Sequence, residues 1–317
     1  MRPAYAAEPR HPFPVPLGWF SLGRVDELPD DDVTRLTAFG RELVLWRGPG
    51  GVRHLADAFC PHLGAHLGVG GRVDDGCLVC PFHEWSFAAD GSNVRIPYAD
   101  KPNRKARLRT YPTVERNRHL LAWYHPDSTV EPSWEVVESL PADPVECLRL
   151  DRTVRTAWQE VAENSVDMAH FVSVHGTAQM ASVGEMTMDG PFRQVRSEQT
   201  FTSSKGDLPA TLISNSLGPG MGVIEFQLFG HSVILVSTTT PLDDDTCHHR
   251  FTFYTDGSDV AAKIAPGFAA EVERQFDQDI PIWESKTFLP VPSLAPSEKP
   301  VTEFRKWAAQ FYASVDA

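Results

Sequence analysis

The sequence has no block of basic residues and no long apolar run, and each absence excludes a class of protein. Its 29 lysines and arginines against 42 aspartates and glutamates give a formal net charge of −13. Nucleic acid and anionic membranes attract clustered Lys and Arg, which this acidic chain does not offer. No apolar stretch approaches the roughly 20 residues that cross a bilayer. We therefore expect no nucleic-acid partner and no membrane span.

Cysteine is also scarce, with five residues in a chain of 317. Such a number leaves no disulfide framework and is typical of a reducing compartment. The N-terminal stretch lacks the charged-then-apolar order of a secretory signal. We therefore expect a cytoplasmic protein. The length allows two domains, each with its own core.

Two short turns carry most of the chemical information. Cys60 and His62 share a Cys-Pro-His turn, and after 17 intervening residues Cys80 and His83 share a Cys-Pro-Phe-His turn. Two thiolates on one iron and two neutral imidazoles on the other hold a [2Fe–2S] cluster of raised reduction potential, roughly −150 to +300 mV. Structural zinc is the alternative, but zinc fingers usually pair Cys with Cys and His with His. The mixed turns therefore favour a cluster that accepts electrons and passes them on.

A second group of possible metal ligands lies in ENSVDMAHFVSVHG, residues 163–176. His170 and His175 are five positions apart, roughly 140° around an unbroken helix. Both imidazoles reach one metal only if the helix predicted over residues 154–171 ends or bulges near Ser173. Two histidines and a carboxylate form the facial triad of non-haem Fe(II) oxygenases. The alternative is a hydrogen-bonded core histidine followed by a histidine that caps the helix.

Helical periodicity selects the carboxylate. In the helix predicted over residues 269–286, Asp279 falls seven positions after Val272 and three after Phe276, whereas Asp277 points away from this apolar stripe. A carboxylate on an apolar face is costly unless it is paired or bound to metal. Asp279 is therefore the predicted third ligand, and a solvent-exposed helix aspartate is the alternative.

The segments around both groups resemble the terminal oxygenases of the Rieske-type non-haem iron family. The resemblance is carried by CPHLGAHLGVGGRV and CLVCPFHEWSFAADGSNVRIPYA in the first half, and by VDMAHFVSVHG and DIPIWESKTF in the second. The members that these segments resemble are 3-ketosteroid 9α-hydroxylase oxygenases and Neverland-type cholesterol 7-desaturases. Respiratory Rieske proteins carry an extra cysteine in each loop, where this chain has residues 63–65 and Phe82. The resemblance therefore favours an oxygenase over a respiratory carrier.

The expected fold is an α+β chain of two domains. Residues 1–130 are expected to form a small all-β Rieske [2Fe–2S] domain with an N-terminal segment, in keeping with short β-type runs split by turn residues. Residues 131–317 are expected to form the catalytic mononuclear-iron domain. The resemblance implies a helix-grip, START-like antiparallel sheet with flanking helices for this second domain.

The resemblance also implies roles for single residues. The two turns would hold the cluster, and the triad would hold the mononuclear iron. Asp167 would hydrogen-bond across a subunit interface to His83 of an adjacent chain and carry electrons to His170 within a homotrimer. Asn164 is either a hydrogen-bonding neighbour of the iron or an ordinary polar residue of the helix.

The implied activity is hydroxylation or desaturation of a C–H bond, using O₂ and electrons from NAD(P)H through a flavin/iron-sulfur reductase or a ferredoxin. The expected substrate is bulky, apolar and steroid-like. An aromatic or other natural-product substrate is one alternative, and a Rieske electron carrier fused to a lipid-binding module is another. The apolar residues expected to line the pocket, unless they only pack in the core, are Met180, Met221, Ile224, Phe226 and Leu228.

Overall fold

The computed structural model describes residues 10–29, 33–176, 184–203, 206–228 and 230–312. The described residues form two compact units. One unit comprises residues 17–138, and the other comprises residues 10–16 together with residues 139–312.

The division falls after Glu138, later than the predicted boundary at residue 130. The N-terminal segment also groups with the second unit instead of the first. Hydrogen bonds account for this, because Arg10 Nη1 donates to Glu284 O at 2.6 Å and Phe288 N donates to Arg10 O at 2.9 Å.

The first unit is built from short antiparallel strands. They are β1 (Gly18–Arg24), β2 (Val33–Ala38), β3 (Arg41–Arg47), β4 (Arg53–Asp57), β5 (Arg72–Asp74), β6 (Cys77–Val79), β7 (Ser86–Phe87), β8 (Asn93–Arg95), β9 (Thr110–Tyr111), β10 (Thr113–Arg116) and β11 (His119–Tyr124), with a 3₁₀ turn at Pro49–Gly51. Within the described residues they form sheets of order β1-β11-β10, β2-β3-β4-β9 and β5-β6-β7-β8. This all-β unit agrees with the prediction for the N-terminal half.

The two Cys-His turns have matching backbone hydrogen bonds. Gly64 N donates to Cys60 O at 2.9 Å, and Glu84 N donates to Cys80 O at 3.0 Å. The fourth residue after each cysteine is left-handed, with φ of 75° at Gly64 and 54° at Glu84. The first turn places at this position the residue type that adopts it without strain, and the second turn does not.

The second unit is a long antiparallel sheet with helices. Its elements are β12 (Val145–Val154), α1 (Trp158–Glu163), α2 (Ala169–Ser173), β13 (Met186–Asp189), β14 (Phe192–Ser203), β15 (Gly206–Leu217), β16 (Met221–Leu228), β17 (His231–Pro241), β18 (Cys247–Thr255), α3 (Asp259–Trp283) and α4 (Lys299–Ala308), with 3₁₀ turns at Pro296–Glu298 and Ala309–Phe311. In the described part the strand order is β12-β18-β17-β16-β15-β14-β13. Helix α3 packs on this sheet, since Phe268 stacks on Phe226 with ring centroids 4.6 Å apart. The predicted α+β class is confirmed.

The helix predicted over residues 154–171 is wrong as a single element. Val154 is fully buried and pairs with Cys247 in the sheet, so the strand extends to this residue. A second break follows α1, where the Asp167 carboxylate accepts a hydrogen bond from Ala169 N at 3.1 Å and a new helix begins. Helix α2 ends at Ser173, where the spacing of the two histidines required an ending.

Helix α3 begins earlier than residue 269, the predicted start. The Ser258 side chain caps it by accepting a hydrogen bond from Ala261 N at 3.1 Å. The predicted apolar stripe is confirmed, because Asp279 is 6% exposed while Asp277 faces solvent.

Among the described residues, we find no helix with the length and apolar character needed to span a bilayer.

Replacing Gly64 with alanine should destabilise the first turn by about 1–2 kcal/mol, because an L side chain is strained at this φ. A Cβ at this position meets no atom within 4 Å, so the penalty is purely conformational. Glu84→Gly is the matched change in the second turn and should carry no such penalty. The measurement is the thermal midpoint at which cluster absorbance is lost. An unchanged thermal midpoint in Gly64→Ala contradicts the left-handed backbone conformation assigned to this residue.

Candidate metal centres and active site

The four predicted cluster ligands come together in the first unit. Cys60 and Cys80 are buried, at 3% and 1% exposure. The imidazoles of His62 and His83 are half-buried, with ring centroids 4.7 Å apart. His62 also stacks on Trp85 at 4.3 Å with an interplanar angle of 6°, which holds its ring in place.

These side chains suit a metal cluster chemically. Burial, together with the neighbouring Cys80, raises the pKa of the Cys60 thiol to about 11, so only a bound metal would keep it as a thiolate near neutral pH. Within the described residues, His83 Nδ1 is buried without a hydrogen-bond partner. A metal bond would satisfy this nitrogen, whereas an orphaned buried polar atom is destabilising.

His170, His175 and Asp279 meet in the second unit. His170 lies in α2, His175 follows the end of α2, and Asp279 lies in α3. One ligand atom from each lies within 4.8 Å of the other two. His175 Nε2 is 3.5 Å from Asp279 Oδ2, and the two imidazole centroids are 4.9 Å apart at 78°. The arrangement is that of a two-histidine, one-carboxylate metal site.

The electrostatics of Asp279 also fit a ligand. Burial raises the pKa of its carboxyl, while His175, His170 and a hydrogen bond from Asn164 lower it. Asn164 Nδ2 donates to Asp279 Oδ2 at 2.9 Å, so its amide orients the carboxylate. Metal binding favours the deprotonated acid, which is the form that burial disfavours.

Gln278 fixes the orientation of His175, and sequence reasoning missed it. His175 Nδ1 lies 3.0 Å from Gln278 Oε1, and Arg274 Nη1 donates to the same oxygen at 2.8 Å. Because an amide oxygen only accepts, the proton sits on Nδ1 and Nε2 is left to face Asp279. The signal available in the sequence was that Gln278 directly precedes Asp279, the predicted ligand.

Asp167 lies beside the triad. Its Oδ2 is 3.6 Å from His170 Nδ1, and its side chain is 36% exposed. The His170 imidazole lowers the pKa of the Asp167 carboxyl, which is therefore ionised at neutral pH. Asp167 accordingly presents a negative charge to solvent next to a candidate ligand.

A cavity of about 230 Å³ borders the triad. Its lining surface is mostly apolar, and the polar residues that line it besides the triad are Asn164, Ser165 and Gln275 together with three residues of the sheet. The apolar wall residues are Val161, Phe171, Phe251, Val272, Phe276 and Trp283, and the polar ones from the sheet are Ser237, Thr239 and His249.

The residues predicted to line the pocket lie elsewhere or outside the described chain. Met180 falls outside the described residues. Phe226 and Leu228 belong to the core between the sheet and α3, Ile224 packs against this core, and Met221 is buried. None of these four described residues lines the cavity beside the triad. Apolar character alone did not separate the core from the cavity wall.

A sheet domain that holds two histidines and a carboxylate beside an apolar cavity, and that follows a unit with mixed Cys-His turns, defines an iron-dependent oxygenase. Comparison with known families supports this class. Residues 18–112 match the Rieske [2Fe-2S] domain, and residues 121–312 match the 3-ketosteroid 9alpha-hydroxylase C-terminal domain.

Relatives that align with 94% of this chain support the same class. The chain is 30% identical to a cholesterol 7-desaturase of Caenorhabditis elegans over 94% of this chain and 77% of the relative. It is 29% identical to the oxygenase component of a 3-ketosteroid-9-alpha-monooxygenase of Rhodococcus rhodochrous over 94% of this chain and 84% of the relative.

Solved structures share the fold. Dicamba monooxygenase bound to dicamba superposes with a TM-score of 0.73 at 15% identity, covering 94% of this chain and 98% of that one. NdmA of Pseudomonas putida CBB5, with caffeine, gives a TM-score of 0.71 at 19% identity, covering 92% and 89%.

The chain belongs to the Rieske-type non-haem iron oxygenases, in the group of 3-ketosteroid 9α-hydroxylase oxygenases and cholesterol 7-desaturases. It is an oxidoreductase and the terminal component of a multicomponent system. Its cofactors are a [2Fe–2S] cluster and a mononuclear iron, with O₂ as co-substrate and NAD(P)H as the electron source through a separate protein.

Replacing Asp279 with alanine should remove the mononuclear iron and leave the cluster in place. Metal analysis of the wild type should give roughly three irons per chain, and the variant about two. Asp277→Ala is the matched control on the same helix, since this exposed acid bonds to Arg152 at 2.9 Å instead of the triad. Full iron content in Asp279→Ala shows that another residue supplies the carboxylate.

Proposed function

We propose that this oxygenase hydroxylates or desaturates a C–H bond of a bulky, steroid-like substrate. The observation that carries the proposal is the largely apolar cavity beside His170, His175 and Asp279. The relatives support the substrate class, because they are named for cholesterol and 3-ketosteroid oxidation. An electron carrier with a lipid-binding module would gain nothing from a triad beside its cavity.

We assign the cluster to Cys60, His62, Cys80 and His83, whose two thiolates and two imidazoles would hold it. The mononuclear iron is assigned to the triad. When bound, the cluster would supply electrons one at a time and the mononuclear iron would supply oxygen activation.

The other residues of the site position these ligands and shape the cavity. Gln278 holds the His175 tautomer that leaves Nε2 available, and Asn164 orients Asp279. Aromatic walls such as Phe276 and Trp283 exclude water and contact the apolar surface of the substrate. The substrate C–H bond that lies nearest the triad is then the one oxidised.

Asp167 is assigned to electron delivery between subunits of a homotrimer. Its carboxylate is ionised, lies beside His170 and is partly exposed, so it can accept a hydrogen bond from a neighbouring chain. The donor assigned to it is His83 of a neighbouring subunit. The electron donor to the cluster is a flavin/iron-sulfur reductase or a ferredoxin.

The function is tested by incubating the holoenzyme with a surrogate reductase, NADH, O₂ and a panel of sterols and 3-ketosteroids. Mass spectrometry should show gain of one oxygen for hydroxylation or loss of two hydrogens for desaturation. His170→Ala is the inactive control. Oxidation of aromatic or other natural-product compounds in a parallel panel, with no steroid converted, overturns the steroid assignment.

Asp167→Asn should retain both metal centres but lose turnover by at least roughly 10- to 100-fold, because the amide removes the charge that links the two sites. Iron content and the Rieske EPR signal should match the wild type. Stopped-flow oxidation of the pre-reduced cluster in the presence of substrate and O₂ isolates the transfer step. Unchanged oxidation rates rule out the bridging role of Asp167.

A further inference from the structure

Strands β17 and β18 contribute polar side chains to the cavity that helix α3 and the triad also line. Ser237 and Thr239 are two residues apart on β17, so their side chains leave the same face of the sheet. Thr239 pairs with His249 on β18, and Ser237 pairs with Phe251. These four residues line the same cavity as His170, His175 and Asp279.

His249 is a buried imidazole with an unfilled hydrogen-bonding position. Its Nδ1 lies 3.1 Å from Thr239 Oγ1, and within the described chain its Nε2 is buried without a partner. Burial lowers the pKa of His249 to about 3, so the ring is neutral near physiological pH. A neutral imidazole has one donor and one acceptor nitrogen, so in either tautomer it engages one side of the Thr239 hydroxyl. The other side of that hydroxyl remains available in the cavity.

Ser237 adds a second hydroxyl beside it. Among the described residues its side chain makes no hydrogen bond, although it is half-buried. Asn164, Ser165 and Gln275 also line the cavity, whereas Phe251, Phe276 and Trp283 offer these hydroxyls no hydrogen-bonding group. A polar group in an apolar cavity is costly unless a ligand completes its hydrogen bonds.

We propose that Thr239, oriented by His249 and assisted by Ser237, binds an oxygen substituent of the substrate, a keto or hydroxyl group. The inference rests on the proposed function and narrows its substrate class to steroid-like molecules that carry such an oxygen. Holding the oxygen against the sheet fixes which edge of the molecule meets the triad. Thr239 therefore determines both substrate selectivity and the position oxidised.

Selectivity follows from the cost of leaving the polar wall unpaired. An apolar pocket discriminates weakly between similar hydrocarbons, whereas a site built to hydrogen-bond an oxygen rejects the analogue that lacks it. The enzyme is accordingly expected to prefer an oxygenated steroid over the hydrocarbon of the same shape.

The test compares Thr239→Val with wild-type holoenzyme. Valine keeps the shape of threonine and replaces only the hydroxyl, with a methyl group. The probes are androst-4-ene-3,17-dione and the hydrocarbon 5α-androstane, with dissociation constants measured by equilibrium dialysis. The variant should weaken dione binding roughly three- to tenfold, the loss of one hydrogen bond, and leave androstane binding unchanged. Its product mixture should also contain more positional isomers.

Thr238→Val is the matched control, because Thr238 lies on the same strand, is fully buried and points to the other face of the sheet. It should change neither constant. Ser237→Ala is a second variant and should weaken dione binding in the same direction. An iron content of about three atoms per chain checks that each protein is folded, because the substituted residues lie in the unit that holds the mononuclear iron.

If the wild type binds the dione, the steroid-like substrate class stands. Three outcomes would then overturn the inference about Thr239. They are an unchanged dione constant in both Thr239→Val and Ser237→Ala, equal weakening of both probes, and equal weakening by Thr238→Val. If the wild type binds neither probe, the steroid-like substrate itself is wrong, and the polar-wall inference falls with it.

Discussion

A carboxylate buried on the apolar face of a long helix is the constraint on which the second unit depends. Asp279 lies where α3 otherwise presents aromatic and aliphatic side chains, and burial alone would favour its neutral form. Two imidazoles and an amide lie beside this carboxylate. The segment that supplies these groups contains Asn164, His170 and His175, and it breaks into short helices. An unbroken helix would point the two histidines in different directions.

Helix α3 therefore couples the core to the metal site. Phe268 and Phe276 pack against the sheet, and Asp279 lies less than a turn beyond Phe276 on the same face. Displacing these aromatic side chains would also displace the carboxylate. Gln278 extends the coupling to His175, since its amide oxygen accepts from both Arg274 and the imidazole.

Much of this arrangement could be predicted from the sequence, and the limits have physical causes. Helical spacing predicted the burial of Asp279, because burial along a helix repeats every 3.6 residues, and the mixed Cys-His spacing favoured a cluster over structural zinc. The helix break after α1 was missed because Asp167 acts through a local hydrogen bond to the backbone that competes with helical periodicity. The polar wall could not be predicted, because Thr239 and His249 become neighbours only through the pairing register of β17 and β18.

The cluster turns are shielded unequally, and this gives the first unit a direction. The sulfur atoms of Cys60 and Cys80 belong to a buried core that includes Trp46 and Leu67. The imidazoles of His62 and His83 lie near the tips of the turns and are only half-buried. With the cluster held as proposed, any protein that exchanges an electron with this unit would meet the least shielding at the imidazole edge. In the proposed assignment, electrons would therefore enter and leave this unit on the histidine side, with the two sulfur atoms lying deeper.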